Sequence, residues 1–308
     1  MQRYIAVRLA QGFVVILMVS VATFAMMHFI PGDPVSLLIG EARISQEQID
    51  LIRAKWGLDR PVHEQYLRWV SNLLRGDFGQ SVVRSGVPVR TMIAEAAAVT
   101  ITLNLIGFLI SIVIAVPAGL LAATRRYSAF DYTIMVSTTL GVALPNFWVG
   151  LMLIVVFSLL LRWLPPFGLG SWHGYVLPVA VIVIGQLALL ARLMRSSTLD
   201  NLGEDFVRTA RAKGLRESAV VGRHVVRNAL LPIVTVIGYR VAFILSGTIV
   251  VETVFAIPGL GQLFIESVNR VDYQVVQAIV MVLSILVVLG NLVTDLIYGF
   301  IDPRIRIR

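Results

Sequence analysis

The sequence predicts an all-α polytopic membrane protein with six transmembrane helices, and three observations predict it. The chain of 308 residues is 57% hydrophobic and only 14% charged, whereas soluble domains are roughly 45–50% apolar and about a quarter charged. The mean hydropathy is +0.83. Six apolar runs are long enough to span a bilayer, which takes about 18 residues or more.

The six predicted spans cover residues 9–30, 99–123, 132–161, 175–191, 231–251 and 275–298. The first run exceeds the apolar region of a signal peptide, which is about 7–15 residues long, so we expect it to remain in the protein. The third is too long for one straight crossing. We expect Pro145 to break it, because proline removes a helical hydrogen bond, and Pro117 to kink the second.

The distribution of arginine and lysine predicts the orientation, because short cytoplasmic loops carry an excess of these residues. The loops predicted to face outward hold Arg162 alone in 162–174 and Arg270 alone in 252–274. The residues predicted to face inward are Arg3, Arg8, Arg125, Arg126, Arg195, Arg208, Arg211, Lys213, Arg216, Arg223, Arg227, Arg304, Arg306 and Arg308. Both termini are therefore expected in the cytoplasm. Because the net charge of +8 lies at the ends of apolar runs, we expect contact with the lipid bilayer and no nucleic-acid partner.

Four parts follow from this topology. Residues 1–30 are the first span, and residues 31–97 form a small helical extracytoplasmic segment. Residues 98–299 are a five-helix core that contains a cytoplasmic loop at 192–231, and residues 300–308 are a cytoplasmic tail.

The external segment contains helix and turn signals. Residues 45–48 read SQEQ, which resembles a capping box, and a second helix is expected at 63–75. The run GDFGQS at 76–81 is typical of a turn. Two interpretations stay open: a cap that packs on the helix ends, or a docking surface for a substrate-delivering protein.

The loop at 192–231 predicts a short helix lying across the membrane face. Glu204 and Asp205 fall at its start, and Arg211 and Lys213 fall at its end, which suits the helix dipole at both termini. Gly214 occupies the position after the helix that favours glycine. Phe206, Val207 and Ala210 would form its apolar edge, and a second helix is expected at 218–230, before Pro232 opens the fifth span. An ordinary interfacial helix and a partner-binding helix both fit this pattern.

Several motifs along the chain carry a family resemblance. They are RTARAKGL at 208–215, RHVVRNALLP at 223–232, PGDP at 31–34, GLDRP at 57–61, GDFGQS at 76–81, VETVF at 251–255, PGLGQ at 258–262 and IDPR at 301–304. In this order, with six spans, the chain resembles the permease subunits of ABC importers of the peptide/nickel branch, which have the type I importer fold. Arg208 stands where the general family motif has glutamate, and His224 stands where it has isoleucine.

The resemblance implies a function and a set of partners. It implies a subunit that translocates di- or oligopeptides across the bacterial cytoplasmic membrane by alternating access, powered by a separate ATPase. The implied partners are a second homologous permease, two ATPase subunits or domains and an extracytoplasmic binding protein, with ATP and Mg²⁺ bound to partner subunits. Nickel, glutathione or another small solute is the alternative cargo.

The resemblance also implies site residues. The ATPase-coupling candidates are Glu204, Phe206, Arg208, Ala210, Arg211 and Gly214. The candidates for an external gate or binding-protein contact are Glu252, Pro258, Gly259 and Gly261.

The residues themselves disfavour catalysis by this chain. A P-loop needs Gly-Lys followed by Ser or Thr, and neither Lys55 nor Lys213 has these neighbours. The chain has no cysteine, and none of its four histidines is placed in the middle of a span, which disfavours an intramembrane hydrolase. Sparse intramembrane charge disfavours an ion-coupled transporter. We therefore expect no enzyme activity and no cofactor in this chain.

Polar residues within the predicted spans are functional candidates, because they are costly in lipid. Arg240 and Asp295 lie at similar depth and are expected either to pair or to face separate environments. Asn104, Asn146 and Gln186 either line a path or bond neighbouring helices. Ser111, Ala115 and Gly119 recur every four residues, and this stripe predicts close helix packing.

Overall fold

The computed structural model describes residues 2–29, 47, 59–242 and 248–301, with side chains for 5–26, 47, 59–238 and 248–293. Every secondary-structure element assigned within these ranges is a helix, which confirms the all-α class. The helices are α1 (Gln2–Phe29), α2 (Val62–Leu74), α3 (Val89–Thr124), α4 (Ala129–Ala143), α5 (Asn146–Leu153), α6 (His173–Leu202), α7 (Asp205–Ala212), α8 (Glu217–Ala219), α9 (Val226–Ala242), α10 (Ile249–Val254), α11 (Leu260–Asn269) and α12 (Tyr273–Ile301). Two π-helical segments, Ile154–Leu160 and Val220–Val225, continue α5 and join α8 to α9.

The described helices account for the predicted crossings. Five helical stretches are long and apolar enough to span a membrane: Ile5–Met26, Val89–Thr124, His173–Leu202, Glu217–Gly238 and Tyr273–Val293. Helix α4 and the arm Asn146–Leu160 make a sixth span if they are counted together, and they are bent by 105°. The bend lies at Pro145, as predicted, whereas α3 continues as a helix past Pro117.

Some helix boundaries differ from the predicted spans. Helix α3 begins at Val89, well before residue 99, and α6 continues to Leu202, beyond the predicted start of the loop at 192. Apolar composition marks only the lipid-facing part of a helix, whereas backbone hydrogen bonding continues into water.

The fifth predicted span is wrong at both ends. Its helical stretch starts at Glu217, so Pro232 lies inside α9 instead of opening it. Helix α9 ends at Ala242, and the separate helix α10 begins at Ile249. Thr248, which precedes α10, has φ −119° and ψ 10° and is a weak helix former.

The chain packs as two compact units, residues 1–98 with 259–308, and residues 99–258. In the second unit, the core contains Leu103, Leu177, Phe255 and Ile257, each at most 2% exposed. A second cluster centres on Met194, which is fully buried with residues of α3 and α9.

The small-residue stripe of α3 packs against α6, as predicted. A Cβ added to Gly119 would lie 2.5 Å from the Ala191 carbonyl oxygen and 2.8 Å from the Met194 Cβ. Ser111 and Ala115 are fully buried on the same stripe. Small side chains therefore set the distance between these two helices.

In the first unit, the predicted external segment packs on α1 and on the residue that precedes α12. Helix α2, predicted at 63–75 and found at Val62–Leu74, contacts α1 through a 2.8 Å hydrogen bond between the Tyr66 and Ser20 hydroxyls. Phe24 and Tyr66 meet edge to face at 5.3 Å. Within the predicted turn at 76–81, the Gly79 amide donates to the Asp77 carboxylate at 2.9 Å. Ser81 donates a hydrogen bond to the buried carboxylate of Asp272. These contacts support the cap interpretation, while the 45–48 capping box, apart from Glu47, lies outside the described residues.

Candidate coupling surface and buried polar cluster

Helix α7 forms where the charge pattern predicts it. Glu204 is extended, with φ −74° and ψ 152°, and the helix runs Asp205–Ala212. Gly214 has φ +75°, and its amide donates to the Arg211 carbonyl at 2.9 Å. This left-handed conformation strains any residue with a Cβ, so Gly214 ends the helix and fixes where the chain turns.

The inner face of α7 rests on a small apolar cluster. Val207 is fully buried and Ala210 is 5% exposed, and both pack with Val220, Val225 and Leu202. The Ala210 methyl group therefore packs toward the interior of the subunit, and its contact with an ATPase stays a prediction.

The outer face of α7 presents an aromatic ring and internally paired charges. Phe206 is 37% exposed. Arg208 pairs with Asp205, three residues earlier. Arg211 donates to both carboxylate oxygens of Glu217, from Nη2 at 2.6 Å and from Nε at 3.1 Å. This hydrogen bonding raises the pKa of Arg211 above its ordinary value. Because both pairs are exposed, they orient side chains more than they stabilise the fold.

Charge is unevenly distributed along the loop around α7. Its amino-terminal side carries the carboxylates of Asp200 and Glu204, and its carboxyl-terminal side is basic. Four basic residues on this carboxyl-terminal side have no ion-pair partner within the described part of the chain: Lys213, Arg216, Arg223 and Arg227. A partner that docks on this surface therefore meets opposite charges at its two ends.

An ion pair joins α4 to α6 near the loop that precedes α4. Arg195 donates to Asp131 from Nε at 2.5 Å and from Nη2 at 2.7 Å. The Asp131 side chain is 3% exposed and also accepts from the Tyr127 amide at 3.1 Å. Because α6 leads directly to α7, this pair ties the segment before α7 to α4. Sequence reasoning missed it, although an aspartate and an arginine each bordering an apolar run were a usable signal.

A polar cluster lies inside the unit formed by residues 99–258. Glu252 is fully buried, and its Oε1 accepts from the Thr100 hydroxyl at 2.7 Å and from the Thr248 hydroxyl at 2.8 Å. Asn104 donates to the Thr248 hydroxyl at 3.0 Å. The cluster therefore holds α10 against α3. The Glu252 carboxylate has no exposed surface and bonds between helices here, so its part in an external gate or binding-protein contact stays a prediction.

The predicted path residues are divided among different environments. Asn104 is 6% exposed and bonds between helices, which was one of its two expected roles. Asn146 is exposed at the start of α5, with its Oδ1 close to Gly185 of α6. The Oε1 atom of Gln186 is buried without a hydrogen-bond partner among the described residues.

The remaining predicted site residues follow α10 or lie in long helices. Pro258 is exposed, whereas Gly259 and Gly261 are buried at the start of α11. The side chains of Arg240 and Asp295 lie outside the described residues, so their pairing stays a prediction. In the part of the chain that is described, no group of three or more His, Cys, Asp or Glu residues is arranged to hold a metal ion.

The sequence matches two family descriptions. Residues 115–307 match "Binding-protein-dependent transport system inner membrane component", and residues 1–89 match the amino-terminal part of such membrane components.

Relatives match over nearly the full length of the chain. The oligopeptide transport system permease protein AppB of Bacillus subtilis (strain 168) is 39% identical, covering 99% of this chain and 100% of the relative. The glutathione transport system permease protein GsiC of Escherichia coli (strain K12) is 40% identical, covering 99% of each. A putative peptide permease protein of Brucella suis biovar 1 is 39% identical, covering 100% of each.

A solved structure shares the fold. The inward-facing MetNI methionine ABC transporter aligns with a TM-score of 0.56 and 18% identity, over 68% of this chain and 96% of the matched chain. The chain therefore belongs to the family of binding-protein-dependent transport system inner membrane components, as a multi-pass permease subunit of the inner membrane.

Proposed function

We propose that this chain is one of two homologous permease subunits of an ATP-driven importer of short peptides. The observation that carries the coupling is α7, a short helix supported by buried residues that presents Phe206 and paired arginines outward. Such a surface transmits the movement of a docked partner, because its backing is packed and its end is fixed at Gly214. The expected partners are two ATPase subunits, which bind ATP and Mg²⁺, and a binding protein outside the cell.

The relatives support the class of cargo. Two are named for oligopeptide or peptide transport and one for glutathione transport, and glutathione is itself a tripeptide. A short peptide is therefore the first candidate cargo, and glutathione is the second because GsiC is equally similar over the full length.

The proposed orientation places both termini and α7 in the cytoplasm and α2 outside. In this orientation, ATP hydrolysis below the membrane moves α7, and the Arg195–Asp131 pair carries that movement from α6 to α4. Coupling by rigid-body movement between discrete states is a common form of conformational switching.

Reconstitution tests the proposal. The permease pair, its ATPase and its binding protein are placed in liposomes, and uptake of labelled tripeptides is measured with ATP and with a non-hydrolysable analogue. We expect uptake only with hydrolysable ATP and with the binding protein present. Equal uptake by this chain alone, or uptake driven by an ion gradient without ATP, contradicts the proposal. Competition by glutathione but not by other tripeptides selects the second candidate.

A further inference from the structure

A cleft of about 370 Å³ opens beside the amino-terminal end of α7, within the unit formed by residues 99–258. Its polar wall consists of Ser197, Asp200 and Asn201 of α6, Glu204 before α7 and Asn228 of α9. Phe206, Leu231 and Pro232 form its apolar wall. The cleft is therefore bounded by three segments that meet at the coupling loop.

The polar wall offers hydrogen-bond acceptors, because its amide donors are already used. The Asn201 side-chain NH₂ donates to the Ser197 carbonyl at 2.8 Å, and the Asn228 NH₂ donates to the His224 carbonyl at 3.0 Å. Their amide oxygens remain as acceptors. Within residues 59–242, the carboxylates of Asp200 and Glu204 make no side-chain hydrogen bond or ion pair.

Ser197 adds a separate indication that the cleft takes a ligand. It is 7% exposed, and its hydroxyl has no hydrogen-bond partner within the described part of the chain. This hydroxyl lines the cleft and is open to it, so a ligand bound there can hydrogen-bond it. A ligand with several donors therefore satisfies both the hydroxyl and the two carboxylates.

An arginine side chain matches this lining. Its guanidinium group carries five N–H donors and a permanent positive charge, which suits two carboxylates, two amide oxygens and a hydroxyl. Its methylene groups can lie along Leu231 and Pro232, because long basic side chains bury their stems on apolar surface. The Phe206 ring offers a face for the cation.

We propose that this cleft is the socket for an arginine side chain of the ATPase subunit, an inference that rests on the proposed function. The socket includes Glu204 and Phe206, which border the first turn of α7. An arginine inserted there contacts α6, α9 and the start of α7 together. The docked ATPase therefore binds the loop at its acidic end. Lys213 and Arg216 then face the ATPase at the basic end.

The absence of cysteine makes the cleft directly measurable. Ser197→Cys places a single thiol in the cleft, and Ser218→Cys places a matched one at an exposed position of the same loop. In the purified permease pair, with any cysteine of the second permease replaced, we measure the rates of modification by a cationic and an anionic methanethiosulfonate. We expect the ratio of cationic to anionic rates at Ser197→Cys to exceed the ratio at Ser218→Cys by about tenfold, as two nearby carboxylates attract cations.

Charge removal tests which groups create that preference. Adding Glu204→Gln or Asp200→Asn to Ser197→Cys should reduce the preference several-fold, whereas adding either to Ser218→Cys should leave its rates unchanged. Equal ratios of cationic to anionic rates at Ser197→Cys and Ser218→Cys, in variants that purify and melt like the parent protein, overturn the socket.

The same thiol measurement with the ATPase bound identifies what occupies the cleft. Bound ATPase should slow cationic modification of Ser197→Cys by about tenfold, and Glu204→Gln should weaken ATPase binding by about tenfold, since a desolvated charge pair contributes at least that much. If the ATPase binds and the thiol stays fully reactive, the socket is overturned and the proposed function stands. If the ATPase fails to bind the unaltered permease pair, the proposed function itself fails. Protection by the homologous permease instead of the ATPase overturns the assignment of the occupant.

Discussion

The polar groups of α7 and of the Glu252 cluster differ in where their partners lie. Around α7, Arg208 and Arg211 stay exposed and pair with carboxylates close in the sequence. Glu252 is fully buried and bonds Thr100, more than a hundred residues away. Exposed charges with local partners can exchange them for a docking protein at little cost. A buried carboxylate with distant partners instead holds two helices together. The family resemblance predicted functional residues in both regions. Burial distinguishes the surface of α7, which a partner can reach, from the Glu252 cluster, which holds two helices together.

The largest expected loss of stability follows from a substitution in the buried Glu252 cluster. Glu252→Ala leaves the Thr100 and Thr248 hydroxyls without their acceptor and opens a cavity, so we expect a loss of about 3 kcal/mol in the free energy of unfolding. Thermal unfolding of the detergent-purified protein measures it. Glu252→Gln keeps an acceptor oxygen and should lose less. An unchanged melting temperature for Glu252→Ala would show that the cluster is dispensable.

The Arg195–Asp131 pair should rank next. Asp131→Ala leaves a largely buried guanidinium without its carboxylate, and we expect a destabilisation of about 2 kcal/mol, allowing for the part of Arg195 that water reaches. Arg195→Ala and the double variant complete a cycle that isolates the coupling between the two side chains. Additive effects of the two substitutions would remove the pair from the proposed transmission route.

The end of α7 should be more tolerant. Gly214→Ala forces a Cβ into a φ of +75°, which costs about 1 kcal/mol, although a Cβ there meets no atom within 4 Å. We expect a small loss of stability and a larger loss of peptide uptake, because the helix end shifts. Gly222→Ala, at another open position of the loop, is the control, and equal effects of both substitutions would contradict a special role for Gly214.

The smallest effect on stability is expected on the outer face. Phe206→Ala should change the free energy of unfolding by less than about 1 kcal/mol, as is usual for surface substitutions, yet reduce ATPase binding several-fold. Leu215→Ala removes a similarly exposed apolar side chain from the same loop, at 43% against 37% exposure. Binding that falls equally in both variants would show that general hydrophobicity, not the position of Phe206, attracts the partner.

The sequence predicted best where local chemistry decides the structure. Charges at both ends and Gly214 located α7, Pro145 located the bend, and the small residues around Gly119 located a helix contact. These features depend on neighbours within a few positions along the chain.

Prediction failed where distant parts of the chain decide the structure. Glu252 bonds Thr100 of α3, and the partner of Arg195 lies in α4. A local pattern can mark these residues as candidates, but it does not show which residues they contact. Hydropathy also misses the polar ends of α3 and α6, because it detects only apolar residues. Both helices continue beyond their apolar stretches. The predicted apolar edge of α7 contained Phe206, Val207 and Ala210. Packing buries Val207 and Ala210 and leaves Phe206 partly exposed, and the sequence alone does not make that distinction.

The most direct measurement is ATPase binding to the permease pair when residues 205–212 are replaced by a glycine–serine linker of the same length. The linker also removes Val207 and Ala210 from their cluster with Leu202, Val220 and Val225, so membrane insertion and purification as a pair are checked first. We expect its affinity for the ATPase to fall by about a hundredfold, equivalent to roughly 3 kcal/mol, with loss of ATP-driven peptide uptake. Unchanged affinity together with unchanged uptake would contradict the assignment of α7 as the coupling element.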